Sequence, residues 1–266
     1  CTFMENVAGW GGGGGIYCVG SNPTFTGCTI TNNTASSRGG GVYCDNDSST
    51  TDTIYDSIIE NNSAANGGGI YCDGSMSLSG TTIANNTAEW GGGIFCDGSM
   101  LLNDTTITYN SAVRGGGMQV MPLGAASGGI FSMNSAEYGG GIHGGDTFGC
   151  GEYGSGTITN AVVQNNTALF NGGGVYSYCI DEEATVVVGS IICGNEPNQE
   201  WQINADEDTL AGISEVCSLG IIHVPEDYAA IQTAINAAVD GDTILVSPGT
   251  YFEHDINLNG KNLTIE

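Results

Sequence analysis

Residues 59–74 read IENNSAANGGGIYCDG. A run of glycines costs backbone entropy wherever it occurs, yet this one recurs, as GGGIYC at 13–18, GGGVYC at 39–44, GGGIYC at 67–72 and GGGIFC at 91–96. A second motif travels with it: an apolar residue, two variable positions, Asn, a further residue and Ala. It appears as FMENVA from Phe3, ITNNTA from Ile30, IENNSA from Ile59, IANNTA from Ile83, ITYNSA from Ile107, FSMNSA from Phe131 and VQNNTA from Val163. The marker asparagines are Asn6, Asn33, Asn62, Asn86, Asn110, Asn134 and Asn166, at successive gaps of 27, 29, 24, 24, 24 and 32 residues.

A period of this size, built from two short β-rich runs per unit with Gly and Asn turns, suits one coil of a parallel β-solenoid. Each strand then stacks on its equivalent about 4.8 Å away, and like residues form columns. Phe3, Ile30, Ile59, Ile83, Ile107, Phe131, Val163 and Ile192 would make one inward column, and Ile16, Val42, Ile70, Ile94, Met118, Ile142 and Val175 another. Strand alternation puts Tyr17, Tyr43, Tyr71, Phe95, Gln119, His143 and Tyr176 on the opposite face. Gln and His in that row point to exposure. The glycines suit crowded, stacked turns, and each marker Asn suits both a left-handed backbone and a side-chain bond to the next coil.

Gly-Gly-x beside FMEN and FSMN resembles the repeats of polymorphic outer membrane proteins. That resemblance covers residues 1–195 and implies an all-β fold of the pectin-lyase-like class, a right-handed parallel β-helix exposed at a cell surface. The pattern fades after Cys193, and residues 196–220 form an irregular acidic stretch. Residues 221–266 then bring a helical spacing, Tyr228, Ile231, Ile235 and Ala238, after Pro225-Glu226-Asp227 and before Gly241. Short strands are expected at 243–246 and 263–265. With GDTILVSPGTY, this segment resembles the capping α-helix and first coil that open secreted β-helix domains. Such an opening near the C-terminus implies a tandem array, a dock on the next copy, or a circular permutation. Head-to-tail contact with other copies would involve Tyr228, Ile231, Ile235, Leu263 and Ile265, and a heterologous contact of this kind need not close.

Composition narrows the function. Three Lys+Arg against 29 Asp+Glu give a net charge of −26, which opposes nucleic acid and anionic membranes. No apolar stretch is long enough to cross a bilayer. Residue 1 is Cys, with no charged start and apolar signal core after it, so a targeting segment is expected to be removed or to lie outside this sequence. Cations, neutral surface glycans and protein partners fit better.

Ten cysteines without metal-type CxxC spacing suggest an oxidising compartment and disulfides. Each has a partner about one coil away: Cys1–Cys28, Cys18–Cys44, Cys72–Cys96, Cys150–Cys179 and Cys193–Cys217. A coil step of about 4.8 Å lies inside the Cα window for a disulfide. Cys44–Cys72 fits the same spacing, and a column of buried thiols is the plain alternative. Asp45, Asp73 and Asp97 follow three repeat cysteines. Solvated turn carboxylates are the simpler reading, and a bridging Ca²⁺ the sharper one; no other cofactor is expected. Sequons stand at Asn32, Asn46, Asn61, Asn85, Asn103, Asn165 and Asn262.

An extracellular, non-enzymatic structural repeat, assembling into a fibre, sheath or stalk, is the expected function. An adhesin using Tyr17, Tyr43, Tyr71 and Phe95 is the first alternative. A secreted polysaccharide lyase or glycoside hydrolase is the second. For the enzyme, acid pairs such as Asp45/Asp73 and Glu182/Glu183 read as solvated faces, and His143, His223 and His254 lack a nucleophile context. Arg38 and Arg114 precede glycine runs as ordinary turn residues, leaving Lys261 as the only other strong base.

Overall fold

The structure, a computed structural model, describes residues 1–9, 11–20, 22–45, 51–121, 125–145, 157–177, 186–196, 215–217, 221–238, 242–253, 256–258, 260–261 and 263–266. It comprises two units, Cys1–Glu215 and Val216–Glu266.

The first unit is a stack of parallel coils. A 14-stranded sheet contains Thr2–Met4, Thr29–Thr31, Ile58–Glu60 and Thr82–Ala84 in that order, and continues through the long strands Ser99–Thr108 and Ala125–Ser132 to Val162–Gln164 and Ile191–Cys193. A 7-stranded sheet runs through Ile16–Val19, Val42–Asp45, Ile70–Cys72, Ile94–Cys96, Met118–Val120, Ile142–Gly144 and Val175–Ser177. Register follows the repeat: Ile59 faces Ile83, Ile83 faces Ile107, Ile70 faces Ile94 and Ile94 faces Met118. Both expected inward columns are buried, apart from a partly covered Phe3.

Each coil also has a run that the two-strand reading missed. Thr51–Tyr55 and Ser75–Ser79 precede the apolar-x-x-Asn strand and join the large sheet; in the next coil the two runs fuse as Ser99–Thr108. Their inward residues Ile54, Met76, Leu78, Met100 and Leu102 complete the core. SMSLS does not repeat as identical letters, so its alternation was masked by the louder Asn and Gly motifs.

The turn chemistry is divided between neighbours. The left-handed residue is the one before the marker: Asn32, Asn61, Asn85 and Asn165, with Glu5, Tyr109 and Met133 in the other coils, all at φ between 53° and 57°. The marker Asn itself turns inward. Asn62 donates from N and Nδ2 to Asn86 Oδ1 at 2.9 and 3.0 Å, and Asn86 does the same to Asn110 at 2.9 and 3.0 Å. Each also caps a carbonyl of the preceding coil, Asn86 Nδ2 donating to Ile59 O at 3.0 Å. In the glycine run, Gly91 has φ 64°. Gly92 stacks so closely that a Cβ would lie 2.5 Å from the carbonyl oxygens of Gly116 and Ser111. Two different constraints, conformation and space, therefore select glycine.

The second unit has a three-stranded parallel sheet, Ile221–Val224, Thr243–Val246 and Thr264–Ile265, and one helix, Ile231–Ala237. The helix is shorter than its spacing suggested, with Tyr228 outside it and Ala238 as its cap. Such a short helix gains little from its own bonds, and two downstream side chains close its ends. Glu253 accepts from Ile231 N and Gln232 N at 2.6 and 2.9 Å; Lys261 Nζ donates to the carbonyls of Ile235, Asn236 and Ala238 at 2.7–3.0 Å. A carboxylate at the N-terminus and a cation at the C-terminus both match the helix dipole.

Candidate functional site

The outer face of the 7-stranded sheet was expected to be open. It is covered. Tyr17 is 52 % exposed, but Tyr43 and Tyr71 are each 4 % exposed, and Phe95, Gln119, His143 and Tyr176 are buried. The cover is a neighbouring column formed by the residues before each glycine run, where Arg38, Asn66, Trp90, Arg114 and Tyr138 are bridged coil to coil. Arg38 donates from Nη1 to the Tyr43 hydroxyl at 3.1 Å and lies 4.9 Å from the Tyr71 ring centroid. Arg114 lies 4.6 Å over Trp90 and 5.8 Å from Tyr138. The two arginines are thus not ordinary turn residues: their planar, weakly hydrated heads lie on aromatic faces.

Beneath the cover the rings continue as a stack, Tyr17 on Tyr43 at 4.9 Å and Tyr71 on Phe95 at 4.8 Å, with Tyr43 edge-on to Tyr71 at 5.1 Å. Burial raises the Tyr43 and Tyr71 phenol pKa values. Gln119 Nε2 donates to Gly145 O at 2.6 Å, whereas Gln119 Oε1 and His143 Nδ1 are buried without hydrogen-bond partners. Burial, aided by the Arg114 charge, pushes the His143 pKa down to about 3. His143 is therefore a neutral imidazole in the covered face, not an exposed one. His223 lies elsewhere, 3.4 Å from Asp227.

Inside the coils, Cys18, Cys44, Cys72 and Cys96 form one in-register column. Cys1–Cys28 is a disulfide with a Cα separation of 4.6 Å. The other four are thiols. Those of Cys72 and Cys96 do not turn toward each other as expected: each bends to a carbonyl of its own coil, Gly74 O at 3.4 Å and Gly98 O at 3.0 Å. In-register side chains project in parallel, so the sulfurs must rotate together to bond, and here the carbonyls hold them apart. Burial pushes the Cys72 pKa well up and that of Cys96 to about 12. For Cys18 and Cys44 the directions diverge: the neighbouring Cys44 thiol lowers the Cys18 pKa, whereas the Cys18 thiol, burial and the Asp52 carboxylate raise that of Cys44. Asp52, fully buried, was missed; its signal was a carboxylate in the register of Met76 and Met100.

Asp45, Asp73 and Asp97 step along the outside of successive coils. Among the described residues, no three His, Cys, Asp or Glu side chains gather where a metal ion could sit. The Ca²⁺ reading thus lacks a converged ligand set. Of the sequons, Asn32, Asn61, Asn85 and Asn103 are exposed and Asn165 is half-buried. Asn46 and Asn262, the pair Cys150–Cys179, Glu182/Glu183, His254 and Gly241 lie outside the described residues. Cys193 is buried at its strand end, and the side chain of Cys217 is outside the described set. Of the expected contact residues, Tyr228, Ile231, Ile235 and Leu263 pack within the core of the second unit; Ile265 remains exposed. A β-helix opening needs these side chains for its own small core before it can offer them to a partner.

Parallel coils in register, with inward aliphatic and asparagine columns, are the geometry that the profile of the right-handed beta helix region describes, and that profile matches residues 1–139, just over half of the chain. The chain belongs to the right-handed β-helix family. No curated protein and no solved structure shows a significant match. Family membership sets the architecture of this β-helix and leaves its activity open, because the same fold carries enzymes and non-enzymes.

Proposed function

We propose that this β-helix is a non-enzymatic, extracellular structural protein, a repeat module or subunit that assembles head-to-tail into a fibre, sheath or surface stalk. The observation that carries the reading is the asparagine column: the inward amides from Asn33 to Asn195 are almost fully buried and are used in coil-to-coil bonds. A chain that repeats its buried amide in each coil invests its polar chemistry in stacking. The Cys1–Cys28 disulfide and the exposed sequon asparagines are consistent with an oxidising, surface location.

Electron microscopy of native material tests this reading. Polymers, or a longer chain of stacked units, are expected; stable monomers with neither would defeat it. Cleavage of a glycan that is lost on replacing one defined carboxylate would overturn the non-enzymatic part.

A second reading, glycan binding, now rests on other residues than the buried tyrosines. Trp90, Arg114, Tyr138 and Phe170 present partly exposed planar groups on successive coils, Tyr138 and Phe170 in ring contact at 5.2 Å. A glycan array separates this reading from the first: binding to neutral glycans that Trp90→Ala and Phe170→Ala abolish would support it.

A further inference from the structure

We propose that Asn171 is a site of spontaneous covalent modification, at which its side-chain amide is lost as ammonia to give aspartate or isoaspartate and the turn that follows is loosened. This goes beyond the structural reading above and is independent of whether the coils build a fibre.

The reaction needs an asparagine, an unshielded backbone nitrogen directly after it, and freedom to bring the two together. Glycine supplies the second requirement because it has no Cβ. Asn-Gly occurs three times, at Asn66, Asn171 and Asn259, and the last of these asparagines lies outside the described residues. Asn66 and Asn171 hold the same place in their coils, each before a left-handed glycine, Gly67 at φ 64° and Gly172 at φ 67°. The fold treats them differently. Asn66 is half-buried in the covering column and is bridged to Arg38 on one side and to Trp90 on the other. Gly67 N, the atom that would have to attack, donates to Trp90 O at 2.8 Å. Asn66 N donates to Ser37 O, and Asn66 O accepts from Gly39 N, both at 2.9 Å.

Asn171 ends the strand Thr167–Asn171 and is exposed. Ala136 faces Ala168 and Tyr138 faces Asn171, so the single residue Glu137 stands against Leu169 and Phe170. This is a bulge, and it interrupts the ladder just before Asn171. It leaves Leu169 69 % and Phe170 51 % exposed. The hydrogen bonds of the dipeptide run to the preceding coil: Asn171 O and Gly172 O accept from Gly139 N and Gly140 N, each at 3.0 Å. Among the described residues, none accepts from Gly172 N.

The step balances without an outside reagent other than water. Gly172 N attacks Asn171 Cγ, the Cγ–Nδ2 bond breaks, and ammonia leaves with the proton from Gly172 N, closing a five-membered imide. Water then adds to one imide carbonyl. Opening on one side gives aspartate, with a new negative charge beside Phe170. Opening on the other gives isoaspartate, which puts Cβ into the main chain and lengthens it. The turn has no room for that, since even a Cβ on Gly173 would run into the backbone of Glu196. The bonds from Gly139 N and Gly140 N are the ones that the longer backbone displaces.

The test ages the whole folded chain in mildly alkaline buffer and maps it at intervals by peptide mass spectrometry with fragmentation that separates isoaspartate from aspartate. Conversion at Asn171 is expected to outrun that at Asn66 by about tenfold or more, because Asn66 must wait for local opening. In urea the two rates should converge, since both asparagines precede glycine. Equal rates in the folded chain, or a difference that persists in urea, would overturn the assignment. Hydrogen exchange supplies the second readout. The Gly139 and Gly140 amides should exchange faster in aged wild-type chain and stay unchanged in aged Asn171→Gln, whose longer side chain closes the ring far more slowly. An equal rise in the variant would separate the loosening from Asn171 and overturn that part.

Discussion

Two columns run the length of the coils, and they were built by opposite rules. The inner column repeats one residue, Asn, and each member bonds to the next. The outer column on the 7-stranded sheet varies from Tyr to Phe, Gln and His, yet from Tyr43 to Tyr176 it is nearly as well buried. Repetition marks the inner column because a buried amide must find the same donor and acceptor one coil away. Packing under a lid asks only for filled space, so the outer column tolerates different shapes. Variation in a repeat is therefore no sign of exposure when a second column, here Arg38, Asn66, Trp90, Arg114 and Tyr138, can close over it.

The comparison can be broken hardest at Asn86. Asn86→Leu strips partners from Asn62 N and Nδ2, Ile59 O and Asn110 Oδ1 at once. A loss of about 3–5 kcal/mol is expected in denaturant unfolding, and Phe95→Leu in the outer column should cost much less. A smaller effect should come from acid. His143 has a folded pKa lowered to about 3 by burial, against an unfolded value near 6.5. Its contribution is fully present above the unfolded value and fades as pH falls through the window between the two. At pH 5 the penalty is about 2 kcal/mol, and the pH dependence between 7 and 5 should flatten in His143→Gln, which copies the residue one coil away. Arg114→Met removes the cation from Trp90 and Tyr138 and should cost about 1 kcal/mol in the same unfolding measurement. The mildest change should stabilise: Met133 occupies a left-handed position held by Asn in four other coils, and Met133→Asn is expected to add about 0.5–1 kcal/mol, read as a higher denaturant midpoint.

The period and the inward aliphatic columns were legible because in-register stacking forces like residues to recur at one position. The Cys1–Cys28 partnership was legible for the same reason, and the helix in the second unit was legible from the apolar spacing of Tyr228, Ile231, Ile235 and Ala238. Asp52 was not: a single carboxylate in the run TDTIY reads as solvated until SMSLS is laid against it in register. The lid was not legible either, since Arg38 and Arg114 carry no repeating letter. Nor could spacing choose between equally separated thiols, because Cys18, Cys44, Cys72 and Cys96 differ only in where each sulfur turns. What the sequence by itself determined is the coil and its register, through short-range turn chemistry and a period. Only the tertiary structure decided which face is covered, where the thiols turn and where the odd acid is buried, because those depend on side-chain directions between coils, which the period alone does not encode.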